Sequence, residues 1–137
     1  MTIKPFELPV RVYYEDTDAQ GVVYYANYFR FMERARTEWL EAMGIDHITL
    51  MNEDKRILVV TEAHAKFLIP ARLGDSLIVT ASLRHLGRAS FEIEQNIYRK
   101  STDGDLLIQG GVTAAYLEAG TMRPKRIPKE FFEEDPS

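Results

Sequence analysis

The chain has 137 residues and a mass of 15.8 kDa, enough for one core and too little for two, so a single domain over 1-137 is expected. Its 45% hydrophobic and 28% charged residues include no apolar run near the roughly 18 that a membrane span needs. The absence of Cys excludes disulfides, thiolate metal sites and a Cys nucleophile, and a net charge of −4 with a pI near 5.4 argues against nucleic acid as a partner. The opening MTIKPFELP has neither the continuous apolar segment nor the small-residue cleavage site of a signal peptide, which makes the cytoplasm the expected location.

Glu7 to Tyr14 alternates Val10, Val12 and Tyr14 with Arg11 and Tyr13, the period of a half-buried strand. From Asn27 the period becomes helical: Tyr28, Phe31, Met32, Ala35, Trp39 and Met43 share one face, while Arg30, Glu33, Arg34, Arg36, Glu38 and Glu41 take the other. Asn27 is the expected N-cap and Gly44 the expected C′ residue. A further short helix is expected within Asp46 to Glu53. Ile57 to Ile69 returns to period two and is apolar and β-branched on much of both faces, which predicts a strand buried on at least part of each side. Ser76 to Leu86, Ser90 to Arg99 and Leu106 to Leu117 follow as strands, joined by LGR and STDGD, whose Gly and Asp supply hairpin turns. The tail MRPKRIPKEFFEEDPS reads as an irregular strap with a short final helical turn.

The order is one strand, one long helix, then four strands. The helix must bury its apolar stripe on the face of the antiparallel sheet, so the sheet should wrap it. Open sheet edges require protection, and pairing with a second copy supplies it, which predicts a homodimer or larger.

His47, His64 and His85 lie in different elements with no metal-ligand spacing, and no Ser sits in a nucleophile elbow. No metal or cofactor is therefore expected, and His64 reads first as a packed strand histidine. The stretch YYEDTDAQGVVYYANYF, Tyr13 to Phe29, is the remaining concentration of chemistry, with Asp16, Asp18 and five of the chain's seven tyrosines. Gly21 permits a sharp change of direction before the helix, which delivers Asp18 close to a helix N-terminus with free N–H groups. A carboxylate beside such donors can attack an acyl carbon or activate water to do so. Equally, Asp16, Thr17 and Asp18 can serve only to make Asx turns and cap backbone groups.

The run YYEDTDAQGVVYYANYFRFMERARTEWL, followed by PARLGD and RPKRIPKEF, closely resembles the hotdog-fold acyl-CoA thioesterases of the 4-hydroxybenzoyl-CoA thioesterase family, particularly the Tol-Pal-associated, YbgC-like subgroup. The match runs over nearly the whole chain. The resemblance implies an α+β hotdog fold with a five-stranded antiparallel sheet wrapped around one long helix. It also implies hydrolysis of an acyl-CoA thioester to a free carboxylic acid and CoA. Asp18 falls on the catalytic carboxylate, nucleophile or general base, and Tyr25 on the residue whose backbone amide polarises the thioester carbonyl. Many of the subgroup carry His where this chain has Tyr25, as the 4-hydroxybenzoyl branch does. In the turn RHLGRASF, Arg88 falls on the segment that contacts CoA phosphates, with Arg84, Lys66 and Arg72 as weaker candidates. Val59, Val60 and Thr61 fall where relatives line the acyl pocket, although an interior strand would hold the same residues. The implied assembly is a homodimer or a homotetramer built as a dimer of dimers, and acyl carrier protein is a further candidate partner.

Three rivals remain in view. An acyl dehydratase on the same fold needs a His that the motif and helix lack. Glu33 could replace Asp18 as the catalytic carboxylate, against its simpler reading as an ion-pair partner of an arginine. A non-catalytic acyl-CoA or acyl-carrier-protein binding module associated with the cell envelope would use the same fold without turnover.

Overall fold

The computed structural model describes residues 5–133. Five strands, β1 (Phe6–Arg11), β2 (Arg56–Phe67), β3 (Ser76–Leu86), β4 (Ser90–Arg99) and β5 (Leu106–Glu118), form one sheet, and α1 (Ala26–Ala42) lies between β1 and β2 in the chain. The spatial order is β1-β3-β4-β5-β2 and every neighbouring pair is antiparallel. This is the expected five-strand hotdog arrangement with one long helix.

The helix forms where the period predicts it, and Tyr28, Phe31, Met32, Ala35, Trp39 and Leu40 are buried along one stripe. They meet the inward side chains of the sheet, among them Leu77, Val79, Phe91, Ile93, Ile97, Leu107 and Ile108. Burial of each such side chain contributes about 1.5–3 kcal/mol, which is why the stripe fixes the helix on the sheet. Polar fastening is added by Gln95, fully buried, whose Nε2 donates to the Met32 carbonyl at 2.7 Å and to the Thr80 carbonyl at 3.4 Å. The helix ends as predicted: Gly44 sits at φ +84°, and the Ile45 N–H returns to the Leu40 carbonyl at 2.8 Å.

Four boundaries differ from the sequence reading. β1 stops at Arg11 rather than Tyr14, because the next buried residue, Val12, turns its N–H to the Asp75 carbonyl (2.9 Å) and the chain then closes a 3-10 turn over Tyr14–Asp16. The helix is capped by Tyr25, not Asn27, which lies inside the first turn. The segment expected to hold a short helix from Asp46 to Glu53 does so as one α turn, His47–Thr49, running into a π turn, Leu50–Asp54. β2 ends at Phe67 and is not buried on both sides. It is an edge strand, exposed from Val60 through His64 and again at Lys66 and Phe67.

After β5 the chain crosses back as a strap. Lys125 N–H donates to the Tyr116 carbonyl (2.9 Å) and Ile127 N–H to the Arg88 carbonyl (2.8 Å). Its last turn, Lys129–Phe132, sets the Phe132 ring 5.8 Å from that of Trp39 and 4.9 Å from that of Phe91, closing the core at the C-terminal end of α1.

Candidate active site

Three residues fold the segment before α1 into a compact hairpin. Asp16 is buried, accepts the Tyr13 N–H at Oδ2 (2.8 Å), and presents its carbonyl to the Tyr24 N–H (2.9 Å) and to Asn27 Nδ2 (3.0 Å). Asp18 N–H donates to the Val22 carbonyl (2.9 Å), and the Asp18 carbonyl accepts from Gly21 N–H (3.1 Å). Gly21 closes this turn at φ +79°, a conformation open to glycine and strained for side-chain-bearing residues. Asp16 is thus the structural member of the pair, and Asn27, expected as a cap, instead ties the helix to this loop. Replacing Asn27 with Ala should lower stability by about 1–2 kcal/mol, because the buried Asp16 carbonyl loses a donor; an unchanged urea midpoint would show that the bond contributes nothing.

The hairpin brings Asp18 alongside the start of α1. Its carboxylate is exposed; Oδ1 accepts the Gln20 N–H at 2.8 Å, and Oδ2 has no hydrogen-bond partner among the described residues. Tyr25 is the N-cap in helical conformation (φ −55°, ψ −33°) with no side-chain cap over the helix end, and its own N–H makes no hydrogen bond among the described residues. An uncapped helix start carries a partial positive charge and unfilled donors, the arrangement that holds a developing oxyanion. One turn on, the buried Tyr28 hydroxyl accepts the Ala71 N–H at 3.0 Å. Burial raises the Tyr28 phenol above its ordinary value, with the Asp75 and Asp18 charges adding to the rise. It therefore stays protonated, and Asp18 lies within its electrostatic reach. The rings of Tyr24, Tyr25 and Phe67 form an exposed aromatic wall here, with centroids 4.9 Å (Tyr24 to Tyr25) and 6.3 Å (Tyr25 to Phe67) apart.

The other candidates lie apart from Asp18. Val60, with Leu58, Phe91 and Ile93, lines the apolar wall of a cavity of about 460 Å³ whose helix side carries Glu33, Arg36 and Thr37. Val59 is half-buried opposite Ala115, and Thr61 sits at a bulge and donates its hydroxyl to the Thr113 carbonyl at 3.3 Å. Glu33 faces the cavity and makes no ion pair within 4 Å among the described residues, so its expected arginine partner is not in contact within the chain. His64, Lys66 and Arg84 lie together with Glu94 and Gln109 on the exposed face of the sheet, the side away from α1. Arg72 is close to the loop, since its neighbour Leu73 N–H donates to the Gly21 carbonyl (3.2 Å).

Arg88 is in the β3–β4 turn, at the other end of the sheet. The strap crosses it there through the Ile127 N–H, so the backbone of Arg126 runs beside that of Arg88; Arg88, Arg126 and Lys129 are all exposed and outside any ion pair among the described residues. In the sequence the strap's cations belong to an irregular tail; the pairing of Ile127 with Arg88 is a contact over 39 positions that no local pattern announces.

The chain matches the family model described as the thioesterase superfamily over residues 20–104. It is 39% identical over 125 residues to the acyl-CoA thioesterase YbgC of Haemophilus influenzae, covering 91% of this chain and 90% of that one. It is 37% identical over 129 residues to the acyl-CoA thioester hydrolase YbgC of Escherichia coli, 94% of each chain. Its fold superposes with a TM-score of 0.85 on a 4-hydroxybenzoyl CoA thioesterase variant complexed with 4-hydroxybenzoyl CoA, at 19% identity and over 94% of this chain and 96% of that one.

Proposed function

The chain belongs to the thioesterase superfamily and hydrolyses acyl-CoA thioesters, and we propose that Asp18 and the Tyr25 backbone N–H are the groups that do the chemistry. The observation that supports this most directly is the uncapped start of α1, with the Tyr25 N–H unpartnered, beside a carboxylate that keeps one oxygen free. The thioester carbonyl oxygen lies against the Tyr25 N–H, which draws electron density from the carbonyl carbon. Asp18 then either adds directly to that carbon, giving an acyl–aspartyl anhydride that water cleaves, or takes a proton from the water that adds. In both routes the C–S bond breaks, the sulfur leaves as thiolate and takes up a proton, and the sum is thioester plus water to carboxylic acid plus CoA thiol. The described residues contain no cluster able to hold a metal ion, and the route calls on none.

One chain does not carry both ends of the substrate. Tyr25 and Tyr28 stand at the Phe67 end of β2, whereas Arg88 and Arg126 stand at its Leu58 end, where Leu58 pairs with Tyr116 and the Tyr116 N–H donates to the Ala89 carbonyl (2.8 Å). The nine steps between Leu58 and Phe67 span about 30 Å at 3.3 Å per residue. β2 is the sheet's long open edge, with Val60, Phe67, Leu68 and Ile69 exposed on or just beyond it. Antiparallel pairing of two β2 edges about a two-fold axis sets the Leu58 end of one copy beside the Phe67 end of the other. A second copy's Arg88 and Arg126 then receive the CoA phosphates, and its Val60 cavity adjoins Asp18 for the acyl group. A homodimer is therefore the minimal working unit, and a homotetramer would be two such dimers. A CoA-ester substrate suits a cytoplasmic enzyme, and no described helix is long and apolar enough to cross a membrane.

The test is thiol release followed with a chromogenic reagent over short, long and aromatic acyl-CoAs, with acyl-loaded acyl carrier protein as a further arm because it presents the same phosphopantetheine thioester. Turnover is expected on at least one acyl-CoA. Binding without turnover on every arm would overturn the catalytic assignment and favour a carrier or scaffold role.

A further inference from the structure

Asn27 holds the hairpin bearing Asp18 from the helix, and the segment Pro70 to Asp75 holds it from the other side. Ala71 accepts the Val23 N–H at its carbonyl (2.8 Å), Leu73 N–H donates to the Gly21 carbonyl (3.2 Å), and Arg72 bridges Val22. The same segment grips the entry to the loop: Val12 N–H donates to the Asp75 carbonyl (2.9 Å), and Gly74 N–H to the Val12 carbonyl (3.1 Å). From the helix side, the Tyr28 hydroxyl accepts the Ala71 N–H (3.0 Å). Every strand-like partner of residues 21–23 outside the hairpin thus comes from six residues that have no regular structure of their own beyond one bridge at Arg72.

Arg99, at the end of β4, ties the two ends of those six residues together. Its Nη2 donates to the Pro70 carbonyl (3.1 Å) and its Nε to Asp75 Oδ2 (3.2 Å), so one planar guanidinium spans both ends of the segment. Asp75 Oδ2 in turn accepts the Arg72 N–H (2.9 Å). The remaining Nη1 bonds Asp105 Oδ2 (2.9 Å), an exposed carboxylate in the following turn. The side chain is largely shielded, at 23% exposure, and its donors are aligned with three acceptors, a geometry the fixed fork of Arg supplies and the single ammonium of Lys does not.

We propose that Arg99 is a positioning residue for hydrolysis: it sets the Pro70–Asp75 segment, and through it the Asp18 turn, against the free Tyr25 amide. This rests on Asp18 being the reacting carboxylate. Arg99 does not touch the substrate, so its loss displaces Asp18 without removing a binding contact. A misplacement of about 1 Å can lower turnover on the order of a hundredfold.

The experiment compares Arg99→Gln, Arg99→Lys and Asp105→Asn with wild type, measuring kcat, KM and melting temperature on the best acyl-CoA, at a temperature where every variant is folded. Arg99→Gln should reduce kcat at least about tenfold with KM within about twofold, Arg99→Lys should recover part of the loss through Asp75 alone, and Asp105→Asn should behave as wild type. In an Asp18→Asn background, Arg99→Gln should add no further loss, since the two act on one group. If Arg99→Gln and Arg99→Lys both keep wild-type kcat while Asp18→Asn is inactive, the positioning role is wrong and the Asp18 assignment stands. A fully active Asp18→Asn would instead remove the premise. Equal losses in the presence and absence of the Asp18 carboxylate would reduce Arg99 to a structural residue.

Discussion

Asp18→Asn should lower kcat by at least about a thousandfold while leaving KM for acyl-CoA within a few-fold, and Glu33→Gln should retain most of the wild-type rate. The amide matches the carboxylate in shape and can still accept the Gln20 N–H at 2.8 Å, so the turn is preserved and only the negative charge is removed. A neutral amide neither adds to a thioester carbon nor takes a proton from water, which is why the effect should appear in turnover and not in binding. Within one chain Glu33 lies about 12 Å further along the helix from Tyr25 at 1.5 Å per residue, too far to act on a carbonyl held at that chain's helix start. It faces the cavity beside Arg36, so its replacement should alter which acyl group fits, with a smaller change in rate. The measurement is single-substrate kinetics on both variants. An active Asp18→Asn with an inactive Glu33→Gln would move the reacting carboxylate to the helix.

The parts of this molecule that were legible in the sequence are those that a local period encodes. The stripe from Tyr28 to Trp39 repeats at helical spacing because one helix face meets one sheet, and those residues are buried as that spacing requires. Gly44 marked the helix end because its φ of +84° excludes most side chains at low strain. The helix starts two residues before its sequence signal: Asn27 looks like a cap, yet its amide serves the Asp16 carbonyl eleven positions back. β2 departs from its sequence pattern in a more informative way. Its apolar, β-branched run resembles an interior strand, and within one chain it is an edge. On the proposed dimer that composition is expected, since a sequence records burial in the working assembly, whichever chain provides the cover. Arg99 and Arg126 escaped for a different reason, since each acts through contacts with segments distant in the chain, Pro70–Asp75 and the Arg88 turn.

The same edge gives the second large effect. If the reacting groups of one copy work with the phosphate-binding cations of the other, two defective chains should repair each other. Asp18→Asn has intact Arg88 and Arg126 but no reacting carboxylate; the double variant Arg88→Ala, Arg126→Ala has the carboxylate and should bind CoA weakly, with KM raised about tenfold or more as charge-assisted phosphate contacts are lost. In a hybrid of the two, one site carries both defects and the other carries neither. Random mixing makes about half the dimers hybrid, each with one intact site, so about a quarter of all sites should regain wild-type KM and kcat. Subunit exchange, by co-expression with two affinity tags, is needed for the signal, because separately purified homodimers mixed without exchange should show only the high-KM activity. Sites confined to single chains would yield no low-KM component at any ratio, and a protein sedimenting as a monomer at assay concentration would remove the second copy altogether. Recovery in the tagged hybrid fraction would instead support antiparallel pairing at β2, the arrangement that brings Leu58 and Phe67 ends together, and the roughly 30 Å that β2 spans between those ends would be the reason the enzyme needs two.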